Sequence, residues 1–456
     1  MRLTATTALC GLSLALAACA ASPPPLIPLS TYLAKPQVQA PKISPDGKQL
    51  IALAPIEGVP NLMIAPLDDL DGKRALTRDT GRGLQASTIW AEQTFRWAFD
   101  NTHVVYMRDD KGDENWTLYS LDTRTGQSVR LTPADNVQVR RVQLSPAYPN
   151  LALFSMNDKD RRRRNYYTVD IVTGKIEPVD VPDSYIAVLF DDDFKARLGI
   201  RVGRDQSFIF DRPLPDGSWR QIRSVPPEDV PALVSNQINQ MGGLAFVDKD
   251  GDGRQERILT FSSEGLDTTS LVELDLETGA LSLVATDDKV DINKALVAPV
   301  SHRLQAYQRV FTDAEWKIVD PSVKDDFEVL KKLSHGDFDI ESRSKDDRLW
   351  IVSAGASDLP TTYYLYDRDR KDARKLFVQT PQLAGLPLSR MHPVVTKSDD
   401  GFDLVSYISY PSWIKVDADG KPAHPVPTVV LVHGGPSDER VQEVFSPVLQ
   451  WLNNRG

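Results

Sequence analysis

A turn that keeps returning constrains this chain more than any other feature. Asp122-Thr-Arg-Thr-Gly126, Asp170-Ile-Val-Thr-Gly174 and Asp275-Leu-Glu-Thr-Gly279 share a D-x-x-T-G pattern, and Gly72, Gly217, a turn near Ser322 and one near Lys371 occupy comparable places. Successive turns are 54, 48, 43, 62, 43 and 49 residues apart. Short apolar segments run between them: Gln49 to Ala54, Thr102 to Met107, Trp116 to Leu121, Leu151 to Met156, Tyr166 to Ile171, Leu271 to Leu276, Leu349 to Ala354 and Thr362 to Asp367. Long amphipathic helical patterns are nearly missing from about residue 40 to 380. A period near 50 built from short strands indicates β-propeller blades, each a four-stranded sheet. One blade cannot bury both of its faces; radial packing buries them and leaves only short edges. Seven turns predict seven blades, with each turn joining the outer two strands. Ser44-Pro-Asp-Gly47 and Trp97-Ala-Phe-Asp100 read as the turn that precedes another strand. A β-sandwich, or two smaller β domains, is the alternative these strands allow.

At 456 residues the chain is about three times a typical ~150-residue domain, which suits a large repeat array or several domains. With 41% hydrophobic and 25% charged residues it has the composition of a globular protein. Its 53 basic and 63 acidic residues give a net charge of −10, which argues against general nucleic-acid binding, because phosphate recognition needs a basic face. Pro (32) outnumbers Gly (26), in keeping with many turns and short strands. Two cysteines cannot build a disulfide framework or a cysteine-rich zinc site.

Residues 1–18 carry one positive charge (Arg2), an apolar run and small residues, the pattern of a secretory signal peptide. The run is too short for a good membrane span. Leu16-Ala17-Ala18-Cys19 resembles the bacterial lipoprotein lipobox, which implies lipidation at Cys19 and attachment to the cell envelope, periplasm-facing in a Gram-negative cell. A plain signal peptide with a chance cysteine is the simpler alternative. Cys10 would leave with the removed segment, so no free thiol is expected for catalysis.

Two features inside the repeat carry possible ligand chemistry. Asp248, Asp250 and Asp252 have the acidic spacing of a calcium loop, but Leu259 stands where an EF-hand loop wants Glu, and helical flanks are missing. An exposed Asp/Gly turn accounts for the same residues, so no metal or cofactor is expected. Arg161 to Arg164 could hold a substrate carboxylate near the propeller mouth, or simply form a solvated loop.

The pattern changes near residue 385. A hairpin-like unit turns at Ser398-Asp-Asp-Gly401, and a polar, Pro-containing connection leads to Thr428-Val-Val-Leu-Val432. That unbroken apolar run predicts a strand buried on both faces, as in an α/β sheet. His433-Gly-Gly-Pro436 follows, and Glu443 to Asn453 has helical spacing that places Val444, Val448, Leu449 and Leu452 on one face. Two glycines after a buried strand let backbone N–H groups point into open space, where they can stabilise a developing oxyanion. A simple strand-to-helix turn would need nothing more than the same residues.

The order of signal, propeller, D-D-G hairpin, apolar strand and H-G-G-P resembles the prolyl oligopeptidase family of serine peptidases, and most nearly its bacterial dipeptidyl-aminopeptidase and acylaminoacyl-peptidase-like branch. Asp113-Glu-Asn-Trp-Thr-Leu-Tyr119 resembles an early-blade string of that family, and Gln450-Trp-Leu-Asn-Asn-Arg-Gly456 resembles the end of a helix in its hydrolase domain. Asp399 stands where that family commonly has Arg. The resemblance implies an all-β propeller of about seven blades (40–384) after a tether (19–39), followed by the first part of an α/β-hydrolase domain (385–456). It also implies a peptide substrate, no cofactor, and an oxyanion-hole loop at His433, Gly434 and Gly435, with the Gly435 N–H the nearest-matching donor and Gly434 second. His433 matches the loop histidine, not the catalytic base.

The family's nucleophile sits in G-x-S-x-G, and no serine here lies in that pattern. The expectation is therefore that Ser, Asp and His of the triad lie beyond Gly456, in a domain needing on the order of 200 more residues. On that expectation this chain alone is inactive, and its last ~60 residues are poorly stable. Two other classes stay open: a lipid-anchored propeller that binds a partner or peptide, and an ester hydrolase using the same loop.

Overall fold

The computed structural model describes residues 23–88, 92–109, 112–132, 136–229, 246–247, 255–417, 420–422, 424–434 and 440–456. Seven antiparallel sheets follow one another along the chain, at 39–75, 95–130, 139–179, 187–225, 246–285, 292–318 and 338–378. Six have four strands and the sixth has three; in each, neighbouring strands are consecutive in sequence. They are the blades of a seven-bladed β-propeller, numbered here 1 to 7.

Radial packing leaves a direct trace in the core. Each of seven apolar clusters joins two neighbouring blades. Ile51, Leu62 and Trp97 pack between blades 1 and 2, Met107, Leu118 and Phe154 between 2 and 3, and Trp316, Phe338 and Trp350 between 6 and 7. Ile43, Leu50, Leu349 and Ile351 close the ring between blades 7 and 1. Backbone and side-chain bonds reinforce that closure: Ile43 N donates to Ser342 Oγ at 3.0 Å, and Lys345 N to Pro45 O at 2.8 Å. Trp350, fully buried, is worth about 2–3 kcal/mol by apolar burial alone. Its indole N–H donates to Asp347 Oδ1 at 2.8 Å, and Arg368 lies 4.9 Å from its ring.

The D-x-x-T-G turns join third to fourth strands in blades 2, 3 and 5. The mechanism is shared. Asp122, Asp170 and Asp275 each accept backbone N–H groups two residues on, and the turn glycine, at φ +75°, +75° and +74°, donates to the Asp carbonyl at 2.8 Å. Gly217 turns blade 4 in the same place. Blade 6 departs from the expectation. The turn near Ser322 joins no strand pair, because Asp320 caps a short 3-10 turn that runs into the helix Lys324–Leu330, which stands where a fourth strand would be. Phe327 and Leu330 from that helix fill the interface with blade 7.

Beyond the propeller, Met391–Lys397 and Asp403–Ser409 form the hairpin turned at Ser398-Asp-Asp-Gly401, with Gly401 at φ +93°. Two local expectations are corrected. Thr428 to Val432 forms no strand: Val430 and Val432 are 78% and 84% exposed. A strand buried on both faces exists only through neighbours on both edges, and no described strand lies beside this run. The C-terminal helix spans only Pro447–Asn453, because Ser446 caps it and Pro447 sets its first turn. Val444 and Val448 are exposed, and the buried face carries Gln450 and Asn453 instead. Among the described residues no helix is long and apolar enough to cross a membrane.

Candidate functional site

The innermost strands of the blades enclose a cavity of about 410 Å³ along the propeller axis. The end of it where those strands begin is built from Glu92, just before blade 2, and from Arg141 at the start of blade 3, with Arg140 beside Glu92. Arg96 lines the wall beyond them. Glu92 is 4% exposed. It accepts the Arg141 N–H at 3.3 Å, and its Oε1 lies 3.5 Å from Arg140 Nε. Arg96 Nη1 donates to Val142 O at 2.7 Å. Arg141 is in the left-handed region at φ +57°, where blade 3's innermost strand bulges against its neighbour. Burial lowers the pKa of Arg96 and Arg140. At the opposite end, His302 Nε2 lies 3.4 Å from Asp192 Oδ2. Burial pushes the Asp192 carboxyl up, with His302 opposing it.

The four-arginine run divides between the two readings it allows. Arg161, Arg162 and Arg163 are exposed, with Arg162 and Arg163 paired to Asp160 in solvent. Arg164 turns inward, and its Nη1 donates to Gln138 O at 2.7 Å. Burial and the neighbouring Arg140 and Arg141 lower its pKa to about 10.

Residues 385–456 dock on the propeller at the turns between second and third strands. Tyr407 Oη donates to Thr312 O at 2.7 Å, Arg440 donates to Phe311 O, and Gln450 Nε2 donates to Ser357 O at 2.8 Å. These turns lie at the same end as the starts of the innermost strands, because antiparallel strands reverse at each turn. Ile27, Tyr32, Leu383, Phe445 and Trp451 form a small apolar cluster there. Asn454 accepts Ile27 N–H at 2.7 Å, and Arg455 lies 4.7 Å from the Trp451 ring. The Gln-to-Gly string at the C-terminal helix is thus a docking device. Its apolar spacing did not disclose this, because its anchors are amides.

The same junction gathers carboxylates. Burial, then Asp313 and Glu443, push the Asp337 carboxyl up to about 6. Of the expected site residues, His433 and Gly434 are exposed at the end of the apolar run, with His433 Nδ1 2.6 Å from Gly434 O and open space around Gly434. Gly435, Cys19, Asp248, Asp250 and Asp252 lie outside the described residues. Among the described residues no cluster of three His, Cys, Asp or Glu side chains could hold a metal. Glu92, Arg96 and Arg141 carry no motif; only the adjacent Arg140-Arg141 inside a strand pattern hints at them.

No protein-family model matches the chain. It is 34% identical over 432 residues to dipeptidyl aminopeptidase BIII of Pseudoxanthomonas mexicana, covering 94% of this chain and 60% of that protein. Among solved structures it is similar to an acylaminoacyl peptidase of Pyrococcus horikoshii, with a TM-score of 0.58 at 13% identity over 94% of this chain and 65% of the other. It is also similar to a prolyl endopeptidase, with a TM-score of 0.54 at 11% identity over 84% of this chain and 55% of the other. The chain thus spans three-fifths of the curated relative's length. Seven blades with a segment docked at one end of them, and 34% identity to a dipeptidyl aminopeptidase along 94% of the chain, lead to one conclusion: this chain is similar to peptidases of the prolyl oligopeptidase family.

Proposed function

We propose that the protein to which this chain belongs is an exported serine peptidase that hydrolyses short peptides. The observation that carries this reading is the identity to a dipeptidyl aminopeptidase along nearly the whole chain, through the propeller and the segment docked on it. In the proposed mechanism a serine attacks the scissile carbonyl, a histidine takes its proton and returns it to the leaving amine, and an aspartate orients the histidine. Backbone N–H groups of Gly435 and Gly434 would stabilise the oxyanion, with His433 as part of that loop. Residues 385–456 would be the opening of the α/β-hydrolase domain, with Thr428 to Val432 pairing once neighbouring strands are present. The propeller would cap the site and admit only peptides that fit its mouth. The chain alone, having no G-x-S-x-G, is expected to be inactive.

Cys19 would anchor the protein by a lipid at the cell envelope. The test takes the protein purified from its native host. Hydrolysis of a dipeptidyl-arylamide, together with covalent labelling by a serine-directed fluorophosphonate, is the expected result. A purified protein that neither labels nor cleaves would overturn the reading. Incorporation of labelled palmitate, lost in Cys19→Ala, tests the anchor separately.

A further inference from the structure

Arginine is in excess at one end of the propeller channel. Arg96, Arg140, Arg141 and Arg164 gather around a single buried carboxylate, Glu92, with Glu114 the other carboxylate acting on Arg140. Two of these guanidinium groups are left incomplete. Nη1 of Arg141 and Nε of Arg96 are buried, and neither has a hydrogen-bond partner among the described residues. Both residues line the cavity of about 410 Å³. A buried donor without an acceptor costs about 1–3 kcal/mol, and more when it is charged. The backbone adds to this: Arg141 is held at φ +57° in a bulge, a conformation a non-glycine side chain rarely takes. The bulge sets the direction of Arg141, while its backbone N–H is tied to Glu92. Like charges have been crowded together here at a cost, beside that cavity.

We propose that Arg141 and Arg96 form an anion subsite in the propeller channel that binds the carboxylate of a short peptide. The inference rests on the peptide-substrate reading above and adds to it the group recognised. A planar carboxylate accepts two N–H donors from a guanidinium fork, which supplies the acceptors that these buried groups lack. An uncharged peptide end would leave them unpaired. The subsite faces the docked segment 385–456, because the starts of the innermost strands and the turns at Phe311, Thr312 and Ser357 share one end of the propeller. A peptide reaching from that side would therefore enter carboxylate first.

The test is calorimetric binding to this chain at low ionic strength, with three probes: Ala-Ala-Ala, its C-terminal amide, and Ala-Glu-Ala amide. Ala-Ala-Ala is expected to bind at least about ten-fold more tightly than its amide, the scale of one charge-assisted hydrogen bond. Its affinity should fall as salt rises. Binding of Ala-Glu-Ala amide as tight as that of Ala-Ala-Ala would mean that any peptide carboxylate serves; weak binding would restrict the subsite to the C-terminus. Arg141→Met should abolish the difference between acid and amide, and Arg141→Lys should keep only part of it. Should Arg141→Met fold poorly, Arg96→Gln and the salt dependence carry the same comparison. Equal binding of acid and amide by the parent chain would overturn the proposal, as would an Arg141→Met chain that folds and still discriminates. Binding needs no triad, so failure here would leave the peptidase reading standing, and an inactive full-length protein would leave the binding result standing.

Discussion

Gln450 pairs with both backbone groups of Ser389: its Oε1 accepts the Ser389 N–H at 2.8 Å, and its Nε2 donates to the Ser389 carbonyl at 2.7 Å. The same Nε2 donates to Ser357 O at 2.8 Å, so one side chain ties the C-terminal helix to the segment leaving the propeller and to a turn of blade 7. Gln450 is 2% exposed, so no water can replace it without opening the junction. Gln450→Leu keeps the volume and strands three backbone groups, at a cost of about 2–4 kcal/mol. The expected result is faster hydrogen exchange at the Ser389 amide, by about a hundred-fold, with blade amides unchanged. Unchanged exchange at Ser389 would show that the junction is held by its apolar cluster instead.

Asp326 is fully buried between blades 6 and 7. It accepts from Tyr366 Oη at 2.8 Å and from Arg368 Nε at 3.0 Å, and pairs with Lys371. Removing one partner of a buried ionic cluster leaves the others uncompensated, so Asp326→Ala should cost about 3–5 kcal/mol in urea unfolding. Asp369→Ala, at an exposed position nearby, should stay within about 0.5 kcal/mol.

Two turn glycines of the same motif should respond differently. Gly126 has open space around it, so Gly126→Ala bears only the left-handed backbone penalty of about 1–2 kcal/mol. A Cβ at Gly279 would come 2.0 Å from the carbonyl oxygen of Ile222 in blade 4, so Gly279→Ala must also push neighbouring blades apart. The midpoint of thermal unfolding should fall more for Gly279→Ala; equal losses would mean that the blades give way freely.

Asp337 makes the junction sensitive to pH. Its carboxyl is raised from 3.8 to about 6 by burial and by Asp313 and Glu443, so the folded chain holds a proton there that the unfolded chain releases. Stability from this group is therefore greatest at low pH and declines as pH rises between about 4 and 6. Asp337→Asn should stabilise the chain above pH 6, on the order of 1 kcal/mol after solvent screening, and have no effect below pH 4. A stability difference that does not change with pH would remove Asp337 from this role.

The repeat was legible in the sequence because its turns are local. Asp122, Asp170 and Asp275 bond to backbone N–H groups two residues on, and their glycines take a φ that few other residues accept, so both leave a mark within five letters. Strand positions such as Leu349 to Ala354 were legible for a similar reason, since burial of both faces demands an apolar run. The fourth-strand position of blade 6 was not. A helix there is decided by Phe327 and Leu330 finding room against Trp316 and Trp350, which are not their sequence neighbours.

The sequence by itself determined the blade count, the turn chemistry and the kinship. Only the tertiary structure decided what stands at the ends of the propeller. It brings Glu92, Arg96, Arg141 and Arg164 to one end of the channel, and Gln450 to Ser389 and Ser357, from segments up to 93 residues apart. It also leaves Thr428 to Val432 exposed, although the letters read as a buried strand. Local patterns record what a residue asks of its own backbone; charge clusters and sheet pairing depend on which distant residues arrive beside it.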